Sequence, residues 1–284
     1  NFFKDNIFKK NTIFLVGSSH VGRINATIVN QLVSEKTDEL DETIIVYNLA
    51  KSGNNPSKEL QSVDLIISAN PKIVIYGISY RDFLFPHDKT IKDSILPDPE
   101  VFVNHIKSSI PVGWIPTNPQ LLTRNVLNDF FNITSELEQN NSKKTKMIPN
   151  TPFYNYSQIS YIMTNEELKK EVFDPYNWRD SSREYTNYNS LQKYIQKLQK
   201  NDIEIIIFTT PLQKYYLNNL SESQKNSFSI LLEKLSNNGI KIYEFEEKYK
   251  DLNIWYNPTH VSLHSNSTIF STEIAEIIVQ EINK

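Results

Sequence analysis

The sequence contains no cysteine, which excludes disulfides, thiolate metal ligands and a thiol nucleophile and leaves the redox compartment open. No apolar run reaches the roughly 18 residues that a membrane span requires, and no signal peptide is visible. The chain opens Asn1-Phe2-Phe3-Lys4 without an initiator methionine, so processing, or a membrane anchor upstream of this chain, is an expectation. An excess of basic residues is also lacking: 30 Lys and Arg against 33 Asp and Glu give a net charge of -3. That balance offers no electrostatic footprint for nucleic acid, which is not expected as a partner.

What is present is ordinary for a globular protein, with 39% hydrophobic and 22% charged residues over 284 positions. A chain of this length buries a sizeable core, and the whole of 1–284 is read as one α/β domain. Short β-branched runs recur at Thr12–Val16, Thr43–Tyr47, Ile73–Tyr76, Ile203–Phe208 and Ile240–Tyr243. They are nearly continuous rather than alternating, the pattern of strands buried on both faces of a parallel sheet. Helical spacing occupies the intervals Val21–Ser34, Pro56–Ala69, Tyr188–Lys200, Glu222–Asn237 and Ser265–Ile282. Alternating strand and helix imply right-handed crossovers and a doubly wound sheet.

The alternation breaks after the third strand. From about 84 to 185 prolines, asparagines and aromatic residues gather without a strong period, with one amphipathic helix expected at Pro119–Glu138 and an exposed loop at Asn140–Lys146. A stretch this long without strands reads as an insertion, a lid or binding subregion over the C-terminal edge of the sheet. Its Trp114, Tyr154, Tyr156, Tyr161 and Trp178 offer stacking surfaces for a carbohydrate, although aromatic residues also simply fill cores.

Four segments carry groups suited to chemistry. The first strand runs into Gly17-Ser18-Ser19-His20-Val21-Gly22, a strand-to-helix turn that places a serine at the sheet edge beside a helix N-terminus, where developing negative charge is favoured. The same residues alone would equally serve as a turn with a helix cap. After the second strand, Gly53 allows close backbone approach, so its N–H can face an oxyanion. After the third comes Gly77-Ile78-Ser79-Tyr80-Arg81-Asp82, a further polar turn at the same edge. Near the C-terminus, Asn257-Pro258-Thr259-His260 offers a histidine that can reach the serine and a side chain three residues earlier that can orient its ring. His260 and His264 are four apart, but no glutamate stands between them, and no metal or cofactor is expected.

In order and placement these segments resemble the four blocks of SGNH (GDSL-like) hydrolases, over Thr12–Phe83 and Thr186–Asn283. The resemblance implies a flavodoxin-like three-layer fold, with Ser19 as nucleophile and His260 as base. It implies an oxyanion hole from the N–H groups of Ser19 and Gly53 together with a side chain of the third block. Ser18 stands where the usual motif has aspartate, a variation shared with relatives acting on cell-envelope polymers. In the third block the family asparagine is absent, and Ser79 or Arg81 takes its place depending on the end from which the turn is counted. Loss of one such donor costs about 10²–10³ in rate. Asn257 replaces the aspartate that would orient His260, a change that costs about 10⁴ in a serine triad.

The resemblance therefore implies an ester hydrolase or O-acyltransferase acting on a small-molecule or carbohydrate ester, an acylated cell-envelope polymer among them. The alternative is a catalytically impaired binding or scaffold protein in an envelope assembly. Six Asn-x-Ser/Thr sequons, at Asn25, Asn132, Asn140, Asn155, Asn219 and Asn266, would accept glycans outside the cytoplasm, though an asparagine-rich chain produces sequons by chance. With the missing cysteines and the habit of the family, they give the expectation of an extracytoplasmic, envelope-associated protein. Oligomeric state is not legible.

Overall fold

A computed structural model describes residues 11–37, 44–83, 161–171 and 181–284, the side chains of residues 181–186 excepted. Among these residues the five apolar runs form five parallel strands: Thr12–Gly17 (β1), Ile45–Asn48 (β2), Ile73–Ile78 (β3), Glu204–Thr209 (β4) and Lys241–Tyr243 (β5). They pair in the order β2-β1-β3-β4-β5. This is the flavodoxin-like doubly wound order, whose direction reverses between β1 and β3, and ligands of such sheets sit outside the carboxyl ends of the strands at that point.

The continuous apolar runs follow from burial on both faces. In β1, Phe14 and Val16 enter one core cluster while Ile13 and Leu15 enter the other, and all four are buried. Each such side chain contributes about 1.5–3 kcal/mol by leaving water. The first cluster is covered by Pro56–Ala69 (α2), Ser181–Gln199 (α4) and Glu222–Asn237 (α6), through Val63, Leu191, Tyr194, Phe228 and Leu231 among others. The second is covered by Ala26–Thr37 (α1) and Ile269–Ile282 (α7), through Val29, Val33, Phe270, Ile274 and Ile278. The result is three layers. Local signals set the helix starts: Asn55 caps α2 by accepting Lys58 N–H ahead of Pro56, and Ser221 with Gln224 forms a capping box before α6.

The first helix departs from expectation. Val21–Arg23 is a single 3-10 turn and α1 begins only at Ala26. Two asparagines cause the break. Asn48 at the end of β2 donates from Nδ2 to the carbonyls of Val21 and Ile24, both at 3.0 Å, taking acceptors that an uninterrupted helix would use. Asn25 then accepts from Thr27 N–H at 3.0 Å and starts the helix afresh.

The fourth helix begins at Ser181 rather than Tyr188, because its polar first half carries no apolar period to reveal it. Two short helices, Asn165–Lys170 (α3) and Lys214–Asn219 (α5), 3-10 turns at Tyr80–Phe83 and Ser265–Ser267, and an antiparallel pair, Trp255–Asn257 (β6) with His260–Val261 (β7), complete the described elements. Of the insertion, Tyr161–Glu171 packs against the body of the protein: Met163 N–H donates to the Trp255 carbonyl at 2.8 Å, and Leu168 is buried in the second core cluster. The helix expected at Pro119–Glu138 and the loop at Asn140–Lys146 lie outside the described residues, as do the sequons at Asn132, Asn140 and Asn155. No described helix is long and apolar enough to cross a membrane.

Candidate active site

Strand β1 ends at a contact only glycine permits. Gly17 pairs in register with Gly77 of β3, and Val21 of the 3-10 turn packs down onto both. A Cβ on Gly77 would lie 2.3 Å from Val21 Cγ2 and 2.6 Å from Phe208 Cζ. Gly17 also has φ +144°, a conformation costly for other residues. The chain therefore leaves the sheet sharply and lifts Ser18-Ser19-His20 onto the carboxyl edge, at the reversal between β1 and β3.

The opposing residues come from the β6–β7 hairpin. Asn257 and His260 are register partners flanking Pro258-Thr259, so their side chains share one face of the ribbon. Thr259 N–H donates to Asn257 Oδ1 at 3.0 Å, and the Thr259 hydroxyl donates to the same oxygen at 3.1 Å. An N–H can only donate, so the carboxamide oxygen must point this way. The His260 Nδ1–H then donates to Asn257 Oδ1 at 3.0 Å and lies 2.9 Å from Thr259 Oγ1. With Nδ1 protonated, Nε2 carries the lone pair, and it meets Ser19 Oγ at 2.8 Å. The hairpin is held in place by Gln213 N–H on the Pro258 carbonyl at 3.0 Å and Ser262 N–H on the Ile254 carbonyl at 2.7 Å.

A second serine–histidine pair lies beside the first. Ser18 Oγ and His20 Nδ1 are 2.8 Å apart, and the His20 ring stacks on His260 with centroids 4.3 Å apart and planes 11° from parallel. Both rings are buried. Arg23, also buried, sets its guanidinium 4.7 Å from the ring centre of Tyr256, the neighbour of Asn257. Burial first, then the charges of Arg81 and Arg23, push His20 down to about 3. His260 is held well below the ordinary histidine value by burial, then by His20, Arg23 and Arg81. Both imidazoles are neutral at physiological pH.

The residues expected to bind an oxyanion are placed unequally. The N–H groups of Ser19 and Gly53 have no backbone acceptor among the described residues. Gly53 lies exposed on the loop after β2, which is strapped to β1 by Lys51 N–H on the Gly17 carbonyl at 3.0 Å. Ser79 is committed elsewhere: its N–H and hydroxyl both donate to Asp82 Oδ2, at 2.8 and 3.2 Å. Its single hydroxyl proton is therefore not directed at an oxyanion, contrary to the expectation of a donor there. The buried Asp82 carboxyl is raised to about 6 by desolvation, opposed by the Ser79 bonds and by Arg81. Arg81 is half-buried on the same turn and close enough for its charge to act on both histidines.

His264 caps the 3-10 turn Ser265–Ser267 by accepting Asn266 N–H at 3.1 Å, which gives its ring a task apart from His260. Of the insertion's aromatic residues, Tyr161 is exposed and donates to Glu167 at 2.8 Å; Trp114, Tyr154, Tyr156 and Trp178 lie outside the described residues. Sequence reasoning missed His20, Arg23, Asn48, Thr259 and Asp82. His20, Asp82 and Thr259, each next to a named candidate, were the three with a visible signal.

No family model matches the sequence, and no curated protein matches it. Among solved structures, a candidate acylhydrolase from Bacteroides fragilis aligns over 96% of this chain and 88% of its own, at 9% identity and a TM-score of 0.41. A GDSL-like lipase from Bacteroides thetaiotaomicron aligns over 99% of this chain and 95% of its own, at 8% identity and a TM-score of 0.42.

Proposed function

We propose that the protein is a serine-dependent ester hydrolase or O-acyltransferase, with Ser19 as nucleophile and His260 as general base. The observation that carries this reading is the contact of Ser19 Oγ with the unprotonated Nε2 of His260 at 2.8 Å, on a ring whose tautomer is fixed by Asn257. A serine hydroxyl is weakly nucleophilic until an adjacent base takes its proton.

In the first half-reaction His260 Nε2 accepts the Ser19 proton as Oγ adds to the ester carbonyl. The N–H groups of Ser19 and Gly53 are the donors proposed for the resulting oxyanion, with Arg81 the charged side chain closest in sequence to the third block's missing asparagine. The tetrahedral intermediate collapses by breaking the bond to the alcohol, which leaves with the proton from His260. The acyl group is then on Ser19. In the second half, His260 deprotonates water or a sugar hydroxyl, which takes the acyl group and frees the serine. Asn257 orients the ring but offers no negative charge to balance the imidazolium formed in each half, so turnover is slow by comparison with a triad holding a carboxylate, by about 10⁴.

The substrate class proposed is an acylated carbohydrate or envelope polymer, and an extracytoplasmic location goes with it. What supports the first is the aromatic content of the insertion and the exposed Tyr161; the second rests on the sequons.

Treatment with a fluorophosphonate probe tests the chemistry. Labelling of the native protein that disappears in Ser19→Ala and in His260→Ala is the expected result. Absence of labelling in the folded native protein would replace this reading with the impaired scaffold.

A further inference from the structure

We propose that His20 is a positioning residue for His260, its ring face serving as the platform that holds the base in register with Ser19 where a carboxylate would otherwise do so. The inference rests on the reading of Ser19 and His260 given above and assigns to it a residue that touches neither substrate nor the reacting atoms.

The geometry is specific. Turning about the His260 Cα–Cβ and Cβ–Cγ bonds carries the ring along its own normal and takes Nε2 out of line with the serine hydroxyl, a movement that in-plane hydrogen bonds at the two nitrogens resist only weakly. A flat group against the ring face removes that freedom. His20 supplies it, with centroids 4.3 Å apart and planes within 11° of parallel. His20 is itself fixed, because Ser18 Oγ engages its Nδ1 at 2.8 Å and the ring is buried. The residue two positions before His20 and the residue directly before it thus engage two different histidines. Ser18 holds the platform and Ser19 faces the base.

The platform must also stay uncharged, since a cation stacked on His260 would oppose the imidazolium formed as Ser19 loses its proton. Burial chiefly, with the charges of Arg81 from the turn after β3 and Arg23 from the 3-10 turn after β1, keeps His20 neutral down to about pH 3. From the hairpin the His260 ring meets Asn257 and Thr259, which carry no charge. A neutral ring leaves the proton transfer free of that opposition, so what the stack contributes is orientation.

The test compares two replacements of similar bulk: His20→Phe keeps a flat aromatic face and His20→Leu does not, while Ser18→Ala releases the platform. Inactivation by a fluorophosphonate is followed as a function of probe concentration and pH, giving the maximal rate and the half-saturating concentration separately. Thermal melting confirms that each variant is folded. His20→Leu is expected to lower the maximal rate by about 10- to 100-fold, the scale of a misplaced catalytic group, with the half-saturating concentration unchanged. Ser18→Ala is expected to lower it less, and His20→Phe to restore most of the native rate. Equal rates for the folded Leu, Phe and native proteins would overturn the proposal. So would a Phe variant as slow as the Leu variant, since the ring nitrogens rather than the face would then matter. Should His20→Leu fail to fold, a native rate in folded Ser18→Ala would overturn it. A native protein that takes up no probe would instead remove the serine reading itself.

Discussion

Asn257 and His260 face each other across the two-residue turn of a short hairpin, and the amide oxygen of the first accepts the Nδ1–H of the second at 3.0 Å. Pairing across the ribbon explains why a ring-orienting residue three positions before the histidine suffices. The backbone, not a long side chain, brings the two together.

Replacing that amide by a carboxylate is the most direct probe of the site. Thr259 already donates N–H and hydroxyl hydrogens to Asn257 Oδ1, so Asn257→Asp fits without rearrangement. The variant should react with a fluorophosphonate, or hydrolyse an aryl ester, faster than the native protein by at least about tenfold and up to about 10⁴. A slower variant would mean that His260 is not the base.

The pH dependence has a definite sign. A base must be unprotonated to act, and His260 is held below the ordinary histidine value of 6.5. The labelling rate should therefore stay level as pH falls through 6.5 and decline only at more acid values. Asn257→Asp, by adding negative charge beside Nδ1, should move that decline upward. A native midpoint at or above 6.5 would contradict the electrostatics of His20, Arg23 and Arg81.

Stability should carry an opposite signature from Glu59, buried in the first turn of α2 and raised to about 8, chiefly by desolvation. Between its ordinary 4.5 and about 8 the folded protein keeps a proton that the unfolded chain releases. Stability from this group is thus fully present below 4.5 and is lost as pH rises toward 8, at up to about 1.4 kcal/mol per pH unit. Glu59→Gln still accepts from Asn54 Nδ2 and should show a flatter stability profile over that window in urea denaturation. An unchanged slope would place the carboxyl in its charged form.

Gly77→Ala should be disruptive despite its small size. Its Cβ would stand 2.3 Å from Val21 Cγ2 and 2.6 Å from Phe208 Cζ, both side chains buried. A loss of about 1–3 kcal/mol is expected from overpacking, together with reduced labelling of Ser19, because Val21 lies two residues from Ser19. Val21→Ala in the same background should recover part of both. A Gly77→Ala protein with native melting and native labelling would show that the turn tolerates displacement.

Strands were readable because burial on both faces leaves an unbroken apolar run, as in Ile13-Phe14-Leu15-Val16. What escaped the sequence were effects that cross it. The helix that stops at Ile24 is interrupted by Asn48, 27 and 24 positions from the carbonyls it captures, and nothing local to Val21–Ile24 announces that. The hairpin carrying His260 has strands of three and two residues, too short for a period to register. Ser79 fits the third block by position, yet its hydroxyl donates to Asp82 three residues later. The charge around the histidines comes from Arg23 and Arg81, which only the adjacency of β1 and β3 brings to one place.

Ser19 and His260 stand 241 positions apart in the chain, one at the exit of the first strand and the other beyond the fifth. The serine is therefore made 241 positions ahead of the imidazole it meets. A proteolytic fragment ending before the hairpin keeps Ser19 but lacks His260, and should take up no fluorophosphonate probe.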